Sequence, residues 1–283
     1  MPAHKIASKA LRAAAAVLVL ASATSAMTQV ATPIAPNLKS IAQAVERARD
    51  VQEIQNLMTR RMYFHAVGQN ENELALWSKR PDVRWAQNQG CYLGMKSIAA
   101  GYDVINRKNQ QADIERLSKL NPAIRNDESS RFVGNTVVHT LVSPLIVVAD
   151  DLQSAKATWY TPGVILTTND GKTPLGFWIW ERYGVDLVKE DGRWRFLHIQ
   201  VNTDFMNPMG APLQLQGPDA AAMGVEGVQA GGPKPAFAVP GPDIAKTTYR
   251  EFGATRVPSI TPRQPEPYRT LSKTFAYADC RSS

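Results

Sequence analysis

The feature that most constrains this chain is a change of pattern near residue 133. Beyond it, Val133 to Val148, Ala155 to Thr168, Leu175 to Lys189 and Trp194 to Asn202 are rich in β-branched and aromatic residues. They are separated by Asp150-Asp151, Asn169-Asp170-Gly171 and Asp191-Gly192, residue types that form turns. Before residue 133 the apolar spacing is helical instead. Asp50 followed by Glu53 reads as a capping box opening a helix, along which Val51, Ile54, Leu57/Met58, Met62 and His65 recur on one face. Gly68 and Asn70 end it. A short helix is expected over about Glu71 to Ser78, a short strand over Val83 to Ala86 and a turn over Gly90 to Gly94. A longer helix is expected from Lys96 toward Leu120. Helices followed by long strands, with no βα alternation, predict an α+β fold built on an antiparallel sheet.

The two ends read differently from this core. Lys5, Lys9 and Arg12 precede an apolar run, Ala13 to Ala21, that is too short to span a bilayer, and small residues follow it. Residues 1–26 are therefore expected to be a cleaved signal peptide, which makes the protein exported and periplasmic. Loss of those three basic residues from a formal charge of +7 leaves +4. An excess of that size without Lys/Arg runs points to no nucleic-acid partner, and no later stretch is apolar enough to hold a membrane. Residues 27–37 form a linker. Residues 38–206 carry all six tryptophans and the periodic pattern, so they form the catalytic-size domain. Residues 207–283 are a tail rich in Gly, Pro, Ala and Gln. The last 73 residues hold ten of the nineteen prolines, too many for a packed core of their own. Tyr249, Phe252, Tyr268, Phe275 and Tyr277 give this tail anchors, and it is expected to wrap a surface. Cys91 and Cys280 are the only cysteines; their number and spacing form no disulfide framework and no zinc site, and no bond between them is expected.

The order of local pieces adds a resemblance. Tyr63-Phe64-His65-Ala66 at a helix end comes first, then Gly90-Cys91-Tyr92-Leu93-Gly94 (a G-x-Y-x-G) before a helix. Val138-His139, Ala155-Lys156-Ala157-Thr158-Trp159-Tyr160 and Glu181-Arg182-Tyr183 with Asp191-Gly192-Arg193-Trp194 follow. Over residues 40–206 this arrangement resembles the nuclear transport factor 2-like superfamily and, within it, the SnoaL-like branch of polyketide cyclases and scytalone dehydratase. The resemblance implies a cone-shaped barrel, a strongly bent sheet packed on three N-terminal helices around an apolar pocket. It also implies proton-transfer chemistry without an organic cofactor, on a small aromatic substrate, with lyases of lignin-derived dimers among the relatives. Non-catalytic members exist too, so fold alone does not establish an enzyme. Pro265-Glu266-Pro267-Tyr268 is similar to extensions of this branch that close over a domain or a neighbour, and a homo-oligomer (dimer or trimer) is expected.

The catalytic candidates are His139, Tyr63, His65 and Asp204. His139 lies mid-strand with Val137 and Leu141 on its face, and the branch commonly has a pocket-facing histidine there. Tyr63 matches the helix-end tyrosine that serves relatives as an acid or clamp, and His65 ranks below His139. His65 lies roughly 200° around the helix from Tyr63, so both face one pocket only if the helix is ending. Many relatives carry an acid five residues after that tyrosine; this chain has Gly68, which leaves Glu181, Asp186 and Asp204 as replacement acids. Asp204 shares strand parity with His198, and Asp186 could be only a surface turn acid. Tyr92, Trp159, Trp178, Trp180, Tyr183 and His198 are candidate walls for a flat ligand. The three histidines outside the signal peptide lie on separate elements without ligand spacing, so no metal is expected. Two functions stay open: a cofactor-independent lyase that removes water or formaldehyde from a hydroxylated aromatic compound, and a non-catalytic exported module that binds a small apolar ligand.

Overall fold

The computed structural model of the 283-residue chain describes residues 37–211, 236–246, 255, 257–258 and 260–280, apart from the side chains of residues 105 and 106. The expected signal peptide, nearly all of the linker, Tyr249 and Phe252 lie outside the described residues. The chain divides into two units at residues 43 and 44. The described part of the first is the opening of helix α1; everything below concerns the second.

Helix α1 spans Leu38–Ala66 and buries Asp50, Ile54, Leu57, Met58, Arg61 and Met62, a stripe at helical spacing. Asp50 therefore does not cap a helix start. It lies mid-helix and fully buried, accepting hydrogen bonds from Trp194 Nε1 (3.0 Å) and Lys189 Nζ (2.9 Å). Short helix α2 (Asn70–Leu74), strands β1 (Arg84–Gln87) and β2 (Gly90–Leu93) and helix α3 (Gly94–Asp103) follow. The segment expected as a turn at Gly90 is thus the second arm of a hairpin, pairing Arg84 with Leu93. A π-helical turn (Val104–Lys108) joins α3 to α4 (Asn109–Leu120), so the expected third helix is two helices around a π turn. Among the described residues, no helix is long and apolar enough to cross a membrane.

The expected first strand divides into β3 (Thr136–His139) and β4 (Val142–Val148), both pairing antiparallel with β5 (Ser154–Thr168). Strands β6 (Pro174–Glu190) and β7 (Arg193–Pro208) complete the antiparallel meander. The β6–β7 turn places Asp191 and Gly192 at φ 51° and 72°, the left-handed pair that matches strand twist in a two-residue hairpin. The sheet order is β3-β5-β6-β7-β1-β2-β8, with β4 beside β5, and β8 (Ile244–Ala245) comes from the tail. One pairing departs from the antiparallel expectation: β1 runs parallel to β7, Trp85 opposite Ile199, so the sheet is mixed. The chain reaches that edge through α2 and a loop rather than a hairpin, which frees the direction of the strand. Register shifts in the β6–β7 ladder at Trp180/Glu181 and Asp186/Leu187 mark bulges that bend these long strands around the helices.

The tail is tied to this body by a covalent bond. Cys91 and Cys280 form a disulfide, contrary to expectation, with their Cα atoms 6.1 Å apart across 189 residues of sequence. Elsewhere along the tail, Tyr268 donates to Ser154 Oγ (3.1 Å), and Tyr277 N–H donates to Asp186 Oδ2 (2.7 Å). Lys156 Nζ lies 4.2 Å from the Phe275 ring centre. Asp186 is consequently no surface acid. It is fully buried, ion-paired with Lys156 (2.5 Å) and within hydrogen-bond distance of His198 Nδ1 (2.7 Å). Burial lowers the Lys156 pKa, and Asp186 opposes that shift.

Candidate active site

A cavity of about 80 Å³ opens where the end of α1 meets the inner face of β3, β6 and β7. Its polar lining includes Arg61, His65, Tyr102, His139, Glu181 and Tyr183, and Trp85, Phe132, Val137, Ile179 and Val201 supply apolar walls. The α1 stripe explains the helical contribution. Arg61 and His65 continue the row of Ile54 and Met58 at spacings of three and four, so they turn inward. Tyr63 lies off that row and is 73% exposed, outside the cavity. Tyr63, expected at the pocket wall, is thus placed outside it. The helix continues through Ala66, so the 200° separation holds and only His65 faces inward.

On the sheet side, Val137 and His139 point inward while Val138 is exposed, as strand alternation requires. Gly163 lets β3 approach this closely: a Cβ there would lie 2.0 Å from Val138 O. His139 Nδ1 sits 3.5 Å from Glu181 Oε2. Glu181 in turn accepts from Tyr183 Oη (2.9 Å) and Thr203 Oγ1 (3.0 Å). Burial depresses the His139 pKa to about 4, with His65 and Arg61 adding to the shift and Glu181 opposing it. The ring is therefore neutral near pH 7, and a proton on the Nδ1 beside the carboxylate leaves Nε2 its lone pair.

A second histidine–carboxylate pair faces the first. His65 Nδ1 is 3.5 Å from Glu73 Oε2, and the two imidazole rings are 5.2 Å apart. Glu73, on α2 and fully buried, also pairs with Arg61 Nη2 (2.7 Å) and accepts from Tyr102 Oη (2.8 Å). Burial alone would raise Glu73, but Arg61, His65 and Tyr102 outweigh it and hold the carboxyl below its usual range. Burial likewise works against the Arg61 charge, and Glu73 more than restores it. Tyr102 and Tyr183 are pushed up by burial and by the carboxylates beside them, so both stay neutral donors.

Among the replacement acids, Glu181 alone lines the cavity. Asp204 is the extra residue of the bulge that pairs Trp180 with Phe205 and Glu181 with Thr203, which ends the parity it shared with His198. It bonds Arg182 (2.8 Å) instead, and burial raises its pKa against that pairing. At Gly68 (φ 67°) a Cβ would lie 2.7 Å from Gln110 Nε2 and 2.8 Å from the Phe132 ring. A side chain there would be strained and would have to displace Gln110 and Phe132; the carboxylate beside His65 is Glu73 from α2. His198 lies outside the cavity, against Asp186 and Asp82 O (3.0 Å). Of the candidate walls, Tyr183 lines the cavity. Tyr92 is buried in the core and stacks on Trp85 at 4.9 Å, and Trp159 is buried there too. Trp178 is 53% exposed and Trp180 38%, both on the outer face. Sequence pattern does not single out Arg61, Glu73 or Tyr102. The available signal is Arg61 itself, a charge that falls at helical spacing among Ile54, Leu57, Met58 and Met62. Among the described residues, no group of three or more His, Cys, Asp or Glu is placed to hold a metal ion.

The profile of the SnoaL-like domain matches residues 46–200, more than half of the chain, and the chain belongs to this NTF2-like family. Similar solved structures include an NTF2-like protein with a cystatin-like fold from Novosphingobium aromaticivorans. It is 18% identical over 60% of this chain and 91% of that one, with a TM-score of 0.40. Another is the hexachlorocyclohexane dehydrochlorinase LinA type 3 from Novosphingobium barchaimii, 14% identical over 62% of this chain and 99% of that one, with a TM-score of 0.39. No curated protein sequence matches this chain.

Proposed function

We propose that the protein is a cofactor-independent lyase that eliminates water or formaldehyde from a small hydroxylated compound by acid–base catalysis. The observation that carries this reading is the pair of histidines, 5.2 Å apart in one cavity, each beside its own buried carboxylate. His139 is the base: held neutral by burial, it takes a proton through Nε2, and Glu181 stabilises the imidazolium that forms. His65, backed by Glu73, delivers a proton to the departing hydroxyl. Apolar walls on the other side favour a substrate with a hydrocarbon body. The cavity is smaller than the roughly 150 Å³ that takes one benzene, so an aromatic substrate needs widening beside Phe132, and a two-ring lignin-derived compound needs more.

The alternative, a binding module without chemistry, is favoured by one observation: Gly68 stands where relatives place an acid, and its φ of 67° and close neighbours Gln110 and Phe132 disfavour a side chain. Incubation with a panel of small hydroxylated compounds, read by mass spectrometry for loss of water or formaldehyde, separates the two. Product formed by the wild type and lost in His139→Ala supports the lyase; binding without product from any compound supports the module.

Export accompanies this function in our reading. The basic and apolar start of the chain supports it, as does the Cys91–Cys280 disulfide, a bond that persists in oxidising compartments such as the periplasm. We also assign the exposed outer sheet face around Tyr160, Trp178 and Trp180 to contact with a second copy of the chain.

A further inference from the structure

Away from the cavity, Lys156 on β5, Asp186 on β6 and His198 on β7 stand directly opposite one another in register. The tail covers this row: Tyr268, Phe275 and Tyr277 place their ring centres 5.9, 4.2 and 5.1 Å from Lys156 Nζ. Lys156 and Asp186 are both 0% exposed, and Nζ lies 2.5 Å from Asp186 Oδ1. The other carboxyl oxygen, Oδ2, accepts from Tyr277 N–H (2.7 Å) and faces His198 Nδ1 (2.7 Å). On the far side of the ring, Arg84 Nη2, which can only donate, lies 3.1 Å from Nε2, so the ring carries its proton on Nδ1 toward the carboxylate. The two oxygens of one carboxyl group thus have different neighbours, an amine on one and hydrogen-bond donors on the other.

The energetics of this arrangement favour loss of both charges. Opposite charges taken out of water forfeit hydration that their mutual attraction only partly returns. Arg84 and Arg263 add repulsion to the burial of Lys156, and both effects lower its pKa against the pull of Asp186. Burial thereby makes the neutral amine, the form with a free electron pair, easier to reach. Condensing the ammonium and the carboxylate to an amide removes both buried charges at once and expels one water.

We infer that Lys156 and Asp186 are a cross-linking site, at which the folded protein joins β5 to β6 by an amide bond between the two side chains. The ion pair is the starting state. Nζ passes one proton to Oδ1, and its freed electron pair attacks Cγ to form the C–N bond. The electrons of the remaining C=O bond move onto Oδ2, where Tyr277 N–H and His198 Nδ1–H stabilise them. Nζ then passes a second proton to Oδ1, the C–O bond breaks and Oδ1 leaves as water, while Oδ2 re-forms the carbonyl. One hydrogen stays on the amide nitrogen, so the step balances without an oxidant, a reductant or an outside proton. Tyr277 belongs to the tail, so the site is complete only once the tail has docked. The cross-link is independent of the acid–base reading of the cavity and, unlike the Cys91–Cys280 bond, does not yield to a thiol reductant.

Intact-mass spectrometry of the purified full chain, denatured and reduced just before injection, tests this. The wild type is expected to show a species one water lighter than the unmodified chain, in a share that grows on incubation of the folded protein. Tandem spectra of a proteolytic digest should place the loss on a branched peptide that joins Lys156 to Asp186. Lys156→Met, which keeps a long apolar stem and removes the amine, should lack the lighter species. An aspartate that cyclises onto a following glycine also loses one water, and Asp191 precedes Gly192. A loss that persists in Lys156→Met, or that maps to a linear peptide, is that event and overturns the inference. A wild type with no lighter species after prolonged incubation overturns it too, whether or not the variant folds.

Discussion

Replacing both cysteines by serine tests how firmly the tail is held. The disulfide joins residues 189 apart in sequence. In the chain-entropy view, releasing a loop of that length lets the unfolded ensemble gain freedom worth about 5 kcal/mol at 25 °C. Strain and residual structure usually reduce such values, so this is an upper figure. For a domain of this size each kcal/mol moves the midpoint by roughly 2–4 °C, which puts the expected fall in melting temperature at about 10–20 °C at most. The noncovalent anchors remain in Cys91→Ser/Cys280→Ser: Tyr277 is 2% exposed and its N–H still reaches Asp186. The double variant should therefore melt earlier yet keep the tail docked at low temperature. Differential scanning calorimetry of wild type with and without a thiol reductant, beside the double variant, measures the shift. Limited proteolysis measures docking. The reductant should lower the wild type toward the variant and leave the variant unchanged. Midpoints agreeing within about 2 °C, with the same cleavage rate beyond Gly210, would refute the view that this bond stabilises the fold through the tail.

Four further outcomes are expected. His139→Ala should lower turnover by about 10²- to 10⁴-fold with the fold intact, whereas Tyr63→Phe should change nothing, since Tyr63 is exposed away from the cavity; kinetics and circular dichroism on both variants check this. The acid limb of the pH–rate profile should fall near pH 4 rather than near 6.5, because the folded His139 pKa is depressed to about 4. The same shift makes stability pH-dependent: the contribution of His139, about 3 kcal/mol, is fully present above pH 6.5 and is lost as pH falls toward 4, and urea melts across that window should show the slope in wild type and not in His139→Ala. Asp186→Asn should destabilise by about 3–5 kcal/mol, since it leaves Lys156 buried without its counter-charge, and chemical denaturation should show a lowered midpoint. Trp178→Glu with Trp180→Glu should shift any oligomer to monomer in light scattering without altering the melting midpoint of the monomer; an unchanged mass would remove the outer face from consideration.

Local periodicity makes much of this molecule legible in the amino-acid sequence. Alternation on β3 is a property of the backbone, so Val137 and His139 had to share a face once Val138 faced out, and the β6–β7 turn followed from Asp191-Gly192. The helical stripe on α1 likewise placed His65 with Met58 and Met62. What the stripe does not reveal is the meaning of a charge upon it. The spacing puts Arg61 on the inward stripe but gives no sign of its partner: Glu73, from a separate short helix, is folded against it. Parity carried Asp204 and His198 together until a bulge, invisible to a pattern of period two, turned Asp204 toward Arg182. Asp186 and the two cysteines show the same division at longer range. Their partners arrive from the tail, 91 and 189 residues away along the chain. Contacts at such separations depend on where the whole chain has gone, and neighbouring residues in sequence carry no record of it. Sequence alone thus determined the helix-then-strand order and the inward faces of α1 and β3; element boundaries, and which charges and thiols would meet, were decided only by the packing of distant segments.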